Sequence, residues 1–571
     1  MTIKKLSIIS IFLFCTFFLT AQKERVIILK CNDCAKKEKI QLIGFSDSST
    51  IENKLVNILT NYYFKGYAEA SIDSFNLKEN SAFLKIGKKY FWKHLLIIDT
   101  ETNDSIEYRK IRKAIFSFPQ INSLFKKQIK ALENSGYPMA SIVFVKLETS
   151  DNGISGIAKI ERNKFYSIDS IINKGDLKIS PHFLKHYTDL YPGMIYNEKL
   201  IINLKKRSEE LLFLEEAKPY ELIFKENKVD LYTYYNKKKA NQFYGILGLV
   251  PNNETTGKLM LTGEADLFLL NSFHQGEKIN FNWSKPENGS QKLLMGLDYP
   301  FINKFPIGIK INFDLYKKDS SYLNVSGIYG LKFKLKGKNF VHGFVKKQTG
   351  SIISTVNMEN ITVLPDFIDY NSSLFGLGFE GDNLDYYYNP KKGFKARFSI
   401  AGGSKKIKKN SAIPQNLYSA IKMNSSSLEL ILDFAYFLPL SKMSTIKFSP
   451  KIGIKSNEVL FDNELFRLGG LKNLRGFDEE SIYASAFASL TIEPRYVFEK
   501  NSAFYIFADF AYLEKNTANS KFNDTPIGLG LGTDFETKSG IFSISYAVGK
   551  QQTNPFMLKT AKIHFGYINR F

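Results

Sequence analysis

The sequence predicts two architectures in series: α/β modules of order β-α-α-β-β up to residue 240, then a 16-stranded antiparallel transmembrane β-barrel over residues 241–571. Three observations predict it. A motif repeats at seventy residues, Gly66-Tyr67-Ala-Glu-Ala70-Ser71-Ile72 returning as Gly136-Tyr137-Pro-Met-Ala140-Ser141-Ile142. From Asn241 onward large apolar residues alternate with small or polar ones, as in Phe542-Ser-Ile544-Ser-Tyr546-Ala-Val548-Gly. Finally, aromatics make up 14% of the chain, with 49 Phe and 31 Tyr. Yet no segment beyond the first residues offers the run of about 18 apolar residues that a spanning helix needs. A bilayer forces every backbone polar group to be satisfied internally, which leaves a closed barrel as the other way to span.

The first element is a leader. Lys4-Lys5, an apolar run Leu6–Leu19 and Thr20-Ala21-Gln22 read as a signal peptide over residues 1–21, cleaved after Ala21. Cys15 follows Phe14 rather than a small residue, which argues against a lipid-anchoring cysteine. Cys31 and Cys34 have the spacing of a redox pair but no βαβ context; they are either a structural disulfide or two idle thiols. The net charge of +22 would suggest nucleic acid in a cytosolic protein. Export argues for no nucleic acid, and the lysine-rich turns suit either anionic lipid head groups or solubility.

Three modules follow, at residues 22–91, 92–164 and 165–240. In the first, Leu55, Ile58, Leu59 and Tyr62 recur at helical spacing before the Gly-Tyr motif; in the second, Leu124, Ile129 and Leu132 do. The second reads as a strand at His94–Ile98, helices at Ser105–Phe116 and Ile121–Ser135, then strands Ile142–Thr149 and Gly156–Glu161 joined by the turn Ser150-Asp151-Asn152-Gly153. The third reads as a strand Tyr166–Ile172, helices near Pro181–Leu190 and Asn197–Leu214, and strands Tyr220–Lys225 and Lys228–Tyr235. The first is degenerate, with Gly44-Phe45-Ser46 where its first helix belongs, and its boundaries are open.

In the barrel half, short turns such as Lys336–Asn339, Pro439–Lys442, Glu499–Ser502 and Thr537–Gly540 alternate with longer polar loops at Gln348–Tyr370, Gly403–Asn424, Ser456–Tyr483 and Leu513–Thr525. That asymmetry is expected of a barrel whose two ends face different compartments. Arg475 lies in the sixth long-side loop, within Leu474-Arg475-Gly476-Phe477. Strand parity aims two carboxylates inward beside it: Glu493 shares a face with Ser489, Thr491 and Arg495, and Asp509 opposes Phe504, Ile506 and Phe510. An inward-folded Arg475 can bind both as a charge-assisted pair; the alternative is that each acid is ordinary polar lining.

Leu474-Arg475-Gly476-Phe477 resembles the Val-Arg-Gly-Phe/Tyr motif in the sixth loop of the BamA/TamA outer-membrane assembly superfamily. Phe507-Ala-Asp509-Phe-Ala511 is similar to that family's Phe-x-Asp-x-Gly strand, with Ala511 where Gly is usual. Gly528-Leu-Gly530-Leu-Gly532, Asp385-Tyr-Tyr-Tyr-Asn-Pro390-Lys-Lys-Gly393 and a terminal Phe571 resemble further barrel signatures, and the modules resemble periplasmic POTRA domains. Three POTRA-like units before the barrel resemble the TamA arrangement. The resemblance implies a bacterial outer-membrane location with the amino-terminal modules in the periplasm, and a factor that inserts or translocates other proteins. Its partners would be unfolded outer-membrane or exported clients, outer-membrane lipid, and periplasmic bridging proteins or lipoproteins. It also implies a loop-six latch of Arg475, Gly476 and Phe477 with Glu493 and Asp509. A lateral seam would run between the first strand, Gln242–Val250, and the last, Lys562–Phe571, with Phe243, Gly245, Gly566 and Phe571 along it. Gly566 suits a weak seam or a crowded lumen equally well. A two-partner-type secretion pore and a passive channel stay open as alternatives.

Catalytic chemistry is not expected. The six His have no metal-ligand spacing, no Gly-x-Ser-x-Gly turn occurs, and the glycine-rich pieces sit in strands rather than strand-to-helix turns. No cofactor or metal is expected.

Overall fold

A computed structural model describes residues 27–31, 39–42, 48–76, 81–102, 104–109, 118–150, 153–251, 259–285, 289–302, 305–335, 338–471, 473–537, 540–552, 555–557 and 561–570. The leader, Cys34, Gly44–Ser46, the Asp151-Asn152 turn and Phe571 lie outside the described residues, as does the side chain of Cys31. The chain divides into two compact units, one of residues 1–169, 193–199 and 224–229, the other of 170–192, 200–223 and 230–571.

In the first unit the repeat is structural. Helix α1 (Ser48–Phe64) follows strands Ile27–Cys31 and Lys39–Leu42 and precedes Ser71–Asn76 and Ser81–Lys85. Helix α2 (Phe118–Glu133) sits in the same place among Phe91–Asp99, Ser105–Arg109, Ser141–Ser150 and Gly153–Glu161. Both four-stranded sheets have the same order, second-first-fourth-third, with a parallel central pair. The repeated glycine has a physical cause. Gly66 and Gly136 both end their helix at φ +99°, a conformation that side chains resist. Each also gives its carbonyl to a backbone N–H of the next module, Tyr90 at 2.7 Å and Tyr166 at 2.8 Å.

The expected helix at Ser105–Phe116 is corrected: Ser105–Arg109 is a strand, paired antiparallel with His94–Ile98. Ile106 and Tyr108 alternate with polar neighbours, a period-two signal too short to outweigh the helical reading of the longer stretch. The second module is closed by Arg162, whose Nε and Nη2 donate to Asp99 Oδ2 at 3.1 and 2.7 Å. Burial raises the Asp99 carboxyl, but the Arg162 hydrogen bonds and charge more than offset this and hold it below the usual carboxylate range. A depressed folded value means the stabilisation is present above the unfolded aspartate value of about 4 and is lost as pH falls through the folded value. Asp99→Asn is therefore expected to cost this module about 1 kcal/mol at neutral pH and to flatten its acid limb, read as hydrogen exchange across Phe91–Glu161 in the full chain.

The third module contributes to both units. Its elements are a strand Ser167–Asn173, α3 (Pro181–Thr188), α4 (Glu198–Glu209) and strands Glu221–Phe224 and Lys228–Thr233, with a further short pair, Leu214–Glu216 and Tyr235–Lys237, added to the expected elements. The expected helix Asn197–Leu214 is corrected, since Leu214 starts a strand. Proline opens α3 where its missing N–H costs nothing, and Asp189 ends it at φ 63°.

The second unit holds the barrel: β1 (Gln242–Pro251), β2 (Leu259–Leu270), β3 (Lys278–Lys285), β4 (Gln291–Tyr299), β5 (Ile307–Lys318), β6 (Tyr322–Lys334), β7 (Phe340–Ile352), β8 (Tyr370–Asp382), β9 (Gly393–Ile407), β10 (Asn424–Pro439), β11 (Ser444–Asn457), β12 (Ala486–Glu499), β13 (Ser502–Asn516), β14 (Lys521–Asp524 with Ile527–Thr537), β15 (Gly540–Lys550) and β16 (Lys562–Arg570). Both pieces of β14 pair with β13, Asp524 with Leu513 and Ile527 with Phe510. Pro526 breaks the ladder because it has no N–H to give, so the ring has sixteen strands. The expected loop Leu513–Thr525 is corrected to a hairpin turn at residues 517–520. Its sequence is too polar for the apolar alternation of a strand to stand out.

Along β13 the pleat sorts residues cleanly: Phe504 and Ile506 are 58% and 61% exposed, whereas Phe507 and Asp509 are 4% and 1%. Outward apolar and inward polar faces are those of a membrane barrel. No helix among the described residues is long and apolar enough to cross a membrane. The loops at residues 353–369, 408–423 and 458–485 share an apolar core of Leu364, Ile368, Ile413, Tyr418 and Phe461 over one mouth. That core anchors the sixth loop.

Candidate functional site: the inward sixth loop and the strand seam

Loop six (residues 458–485) leaves β11 and turns into the barrel. Its own hairpin, Phe466–Leu468 with Ile482–Ala484, sets the stem. Gly469 and Gly470 at φ +110° and +89° reverse the chain toward the wall. Arg475 is 7% exposed there. Its Nε and Nη2 reach the two Asp509 oxygens at 2.8 Å each, and its backbone N–H adds a third bond to Asp509 at 3.1 Å. Nη1 donates to Glu493 Oε2 at 2.6 Å. The guanidinium lies 3.4 Å from the centre of the Phe507 ring, a cation–π contact from the same strand as Asp509.

The wall is cut to receive the loop. A Cβ on Gly528 of β14 would stand 2.0 Å from the Arg475 carbonyl, and one on Gly549 of β15 would stand 2.6 Å from the Gly476 carbonyl. Gly476 itself, at φ +92°, runs against the Val548-Gly549 backbone, and the Phe477 ring covers Gly549. Leu474 and Phe477 join Leu468, Ile482, Ala511 and Leu513 in a small apolar cluster. Gly530 and Gly532 lie opposite the inward rings of Phe507 and Tyr505.

Residues 303–571 match the model of the Omp85 superfamily domain. The chain carries an Omp85 superfamily domain. The chain is also similar to several solved structures. BamA from Haemophilus ducreyi lacking POTRA domains 1–3 is 14% identical with a TM-score of 0.45, covering 84% of this chain and 100% of that one. CdiB from Acinetobacter baumannii is 13% identical with a TM-score of 0.49, covering 92% and 100%. CdiB from Escherichia coli is 11% identical with a TM-score of 0.49, covering 92% and 98%. No curated protein matches.

The barrel places the anticipated seam residues as follows. Among the described residues, strand β1 pairs with β2 through ten residues but with β16 only through Gln242↔Arg570 and Phe243↔Asn569. Phe243 is half-exposed on the outer face. Gly245 pairs with Ala265 of β2, and Gly566 with Ser543 of β15; neither has a partner across the seam among the described residues. A Cβ at Gly566 would meet Ser543 at 3.4 Å and Leu471 of loop six at 4.0 Å, so a side chain there fits toward the lumen.

Several contacts of the Omp85 loop were not anticipated. Thr491 Oγ1 donates to Asp509 Oδ1 at 2.8 Å, and Arg495 Nε stands 3.4 Å from Glu493, with Lys447 at 3.7 Å. Elsewhere the loop is clasped by Arg467–Glu480 at 3.0 Å, Glu480–Lys292, Lys405–Glu464 at 2.5 Å, Lys515–Asp462 at 2.8 Å and Lys562–Asp478 at 2.7 Å. Loop six thus touches β4, β9, β13 and β16, reaching across the lumen. Inward parity marks Lys292 and Lys405 as lumen residues, but no local pattern names their partners in a loop. The Asp385 motif has a plain structural cause: its Oδ1 accepts the N–H groups of Tyr386, Lys391 and Lys392 at 2.9, 3.0 and 3.1 Å, closing the turn before Gly393.

Proposed function

We propose that this protein is an outer-membrane assembly or insertion factor, acting on unfolded outer-membrane or exported clients through its amino-terminal modules and a lateral seam between β1 and β16. The observation that carries the reading is the contrast, among the described residues, between two residue pairs at β1–β16 and ten at β1–β2. A strand edge with unsatisfied N–H and C=O groups is a template on which another strand can form, with little demand on its sequence. The second module's edge strand, Ser141–Ser150, offers a similar edge, with Val143, Val145 and Leu147 exposed. The latch of Arg475, Gly476, Phe477, Glu493 and Asp509 is structural in this reading: it ties loop six to β12 and β13, on the β16 side of the barrel, while the seam moves. No step needs a cofactor, a metal or a catalytic residue.

The experiment is a lock. Phe243→Cys with Asn569→Cys places two thiols on a directly opposed antiparallel pair. With the chromosomal copy depleted, the oxidised double variant is expected to fail to restore outer-membrane protein levels, and reduction to restore them. Wild-type restoration by the oxidised form would sink the reading. Loss of a single exported substrate, with other outer-membrane proteins unchanged, would favour a two-partner-type secretion pore. A passive channel fits poorly with a lumen crossed by loop six.

A further inference from the structure

At the turn-bearing end of the barrel a cavity of about 350 Å³ lies between α3 and the inward faces of β2 to β9. This volume is at the small end of the range that holds a drug-sized ligand. Its charge is unevenly matched. Three carboxylates on the barrel wall are each already engaged: Asp298 by Lys332 at 2.8 Å, Asp382 by Lys338 at 3.1 Å, and Glu380 by Lys310. The fourth, Glu210 from the third module, holds Arg207 at 3.2 Å.

Three further cations line the same cavity. Lys278 sits opposite Asp298 in the ladder, Lys395 opposite Asp382, and Arg397 opposite Glu380, so each faces a carboxylate that another lysine has taken. Among the described residues none of the three has a carboxylate within 4.0 Å, Asp433 beside Arg397 on β10 included. Lys278 and Arg397 are exposed to the cavity, which keeps their charge accessible. The remaining wall combines an apolar part, Phe183 of α3, Phe268, Leu270, Leu297 and Phe301, with the polar Asn280 and Asn312. Phe183 packs its ring 5.8 Å from Phe301 and fills the notch over Gly276, where a Cβ would stand 2.0 Å away, so the apolar wall is firmly built.

We propose that this cavity binds a single-chain amphiphilic anion, with a phosphate or carboxylate head held by Lys278, Lys395 and Arg397 and a short alkyl body against the phenylalanines. Surplus cations explain the head, since charge-assisted bonds to an oxyanion satisfy donors that no protein carboxylate meets. The aromatic end explains the body, and the volume admits one chain rather than a two-chain lipid. The proposal goes beyond the assembly reading and does not depend on it.

The test uses the full chain in discs of zwitterionic lipid, with octyl phosphate as probe and its phosphorus resonance as readout. Saturable line broadening is expected for wild type. Octanol is expected not to compete, and inorganic phosphate to compete at least about tenfold more weakly, because each lacks one half of the recognition. Lys278→Gln with Lys395→Gln and Arg397→Gln is expected to weaken binding by at least about tenfold, while heat-modifiable gel mobility stays that of the folded barrel, since no ion pair is broken. Undiminished binding by this folded variant, no saturable binding by wild type, or equal affinity for inorganic phosphate would each overturn the proposal. Should the triple variant not fold, Arg397→Gln alone is read the same way.

Discussion

Arg475→Ala is expected to cost the barrel about 3–5 kcal/mol, because removing one partner of a buried ion pair leaves the other charge uncompensated. Here Asp509 loses its two-pronged partner and Glu493 the nearest of three cations, and both carboxylates are almost fully buried. Asp509 would keep the hydrogen bonds from Thr491 and the backbone N–H of residue 475; Glu493 would keep the more distant Lys447 and Arg495. The measurement is the temperature at which the folded, fast-migrating band is lost on gels. Arg475→Lys is expected to fall between wild type and alanine, since an ammonium cannot span Asp509 and Glu493 with a rigid fork. Hydrogen exchange in the modules before residue 169 should be unchanged. A variant as heat-resistant as wild type would refute the latch.

Gly528→Val tests the same contact from the wall. The first atom of any side chain there falls 2.0 Å from the Arg475 carbonyl, which is backbone and cannot swing aside. Overpacking of this kind costs about 1–3 kcal/mol when the surroundings can shift. In this site the least costly shift is expulsion of the loop. The expected result is protease cleavage within residues 458–485 in the folded barrel, at a rate at least about tenfold above wild type. Gly402→Val is the control, because a Cβ there has open space, and it should leave loop cleavage unchanged. Equal protection in the two variants would show that loop six does not rest on β14.

The two variants probe different forces at one place, charge and shape. If the first loosens the loop without exposing it, the apolar cluster of Leu474, Phe477 and Leu513 holds it in place alone. If both expose it, the ion pairs and the glycine cradle act together. Either result bears on the seam, because Leu471 and Asp478 of the same loop reach Gly566 and Lys562 of β16.

Much of this was legible in the sequence wherever a signal repeats at a short, fixed period. Period-two alternation gave the barrel and the inward parity of Glu493 and Asp509, because a pleated strand assigns each residue a face without reference to anything distant. The seventy-residue recurrence of Gly66 at Gly136 gave the modules, because a left-handed helix end demands glycine locally. Signals failed where period and context disagreed: Ser105–Arg109 was too short to declare itself a strand, and Lys521–Asp524 too polar.

What the sequence by itself determined is therefore the type of wall and which residues face its interior. Only the tertiary structure decided what meets inside. That Arg475 closes on Asp509, that Gly528 and Gly549 are hollows for a loop rather than weak points in strands, and that β1 and β16 share just two pairs among the described residues all depend on register between segments far apart in the chain. The physical reason is range. Side-chain direction is set by the residue's own backbone, whereas an ion pair or a close approach across a lumen is set by how sixteen strands close, which no local pattern carries.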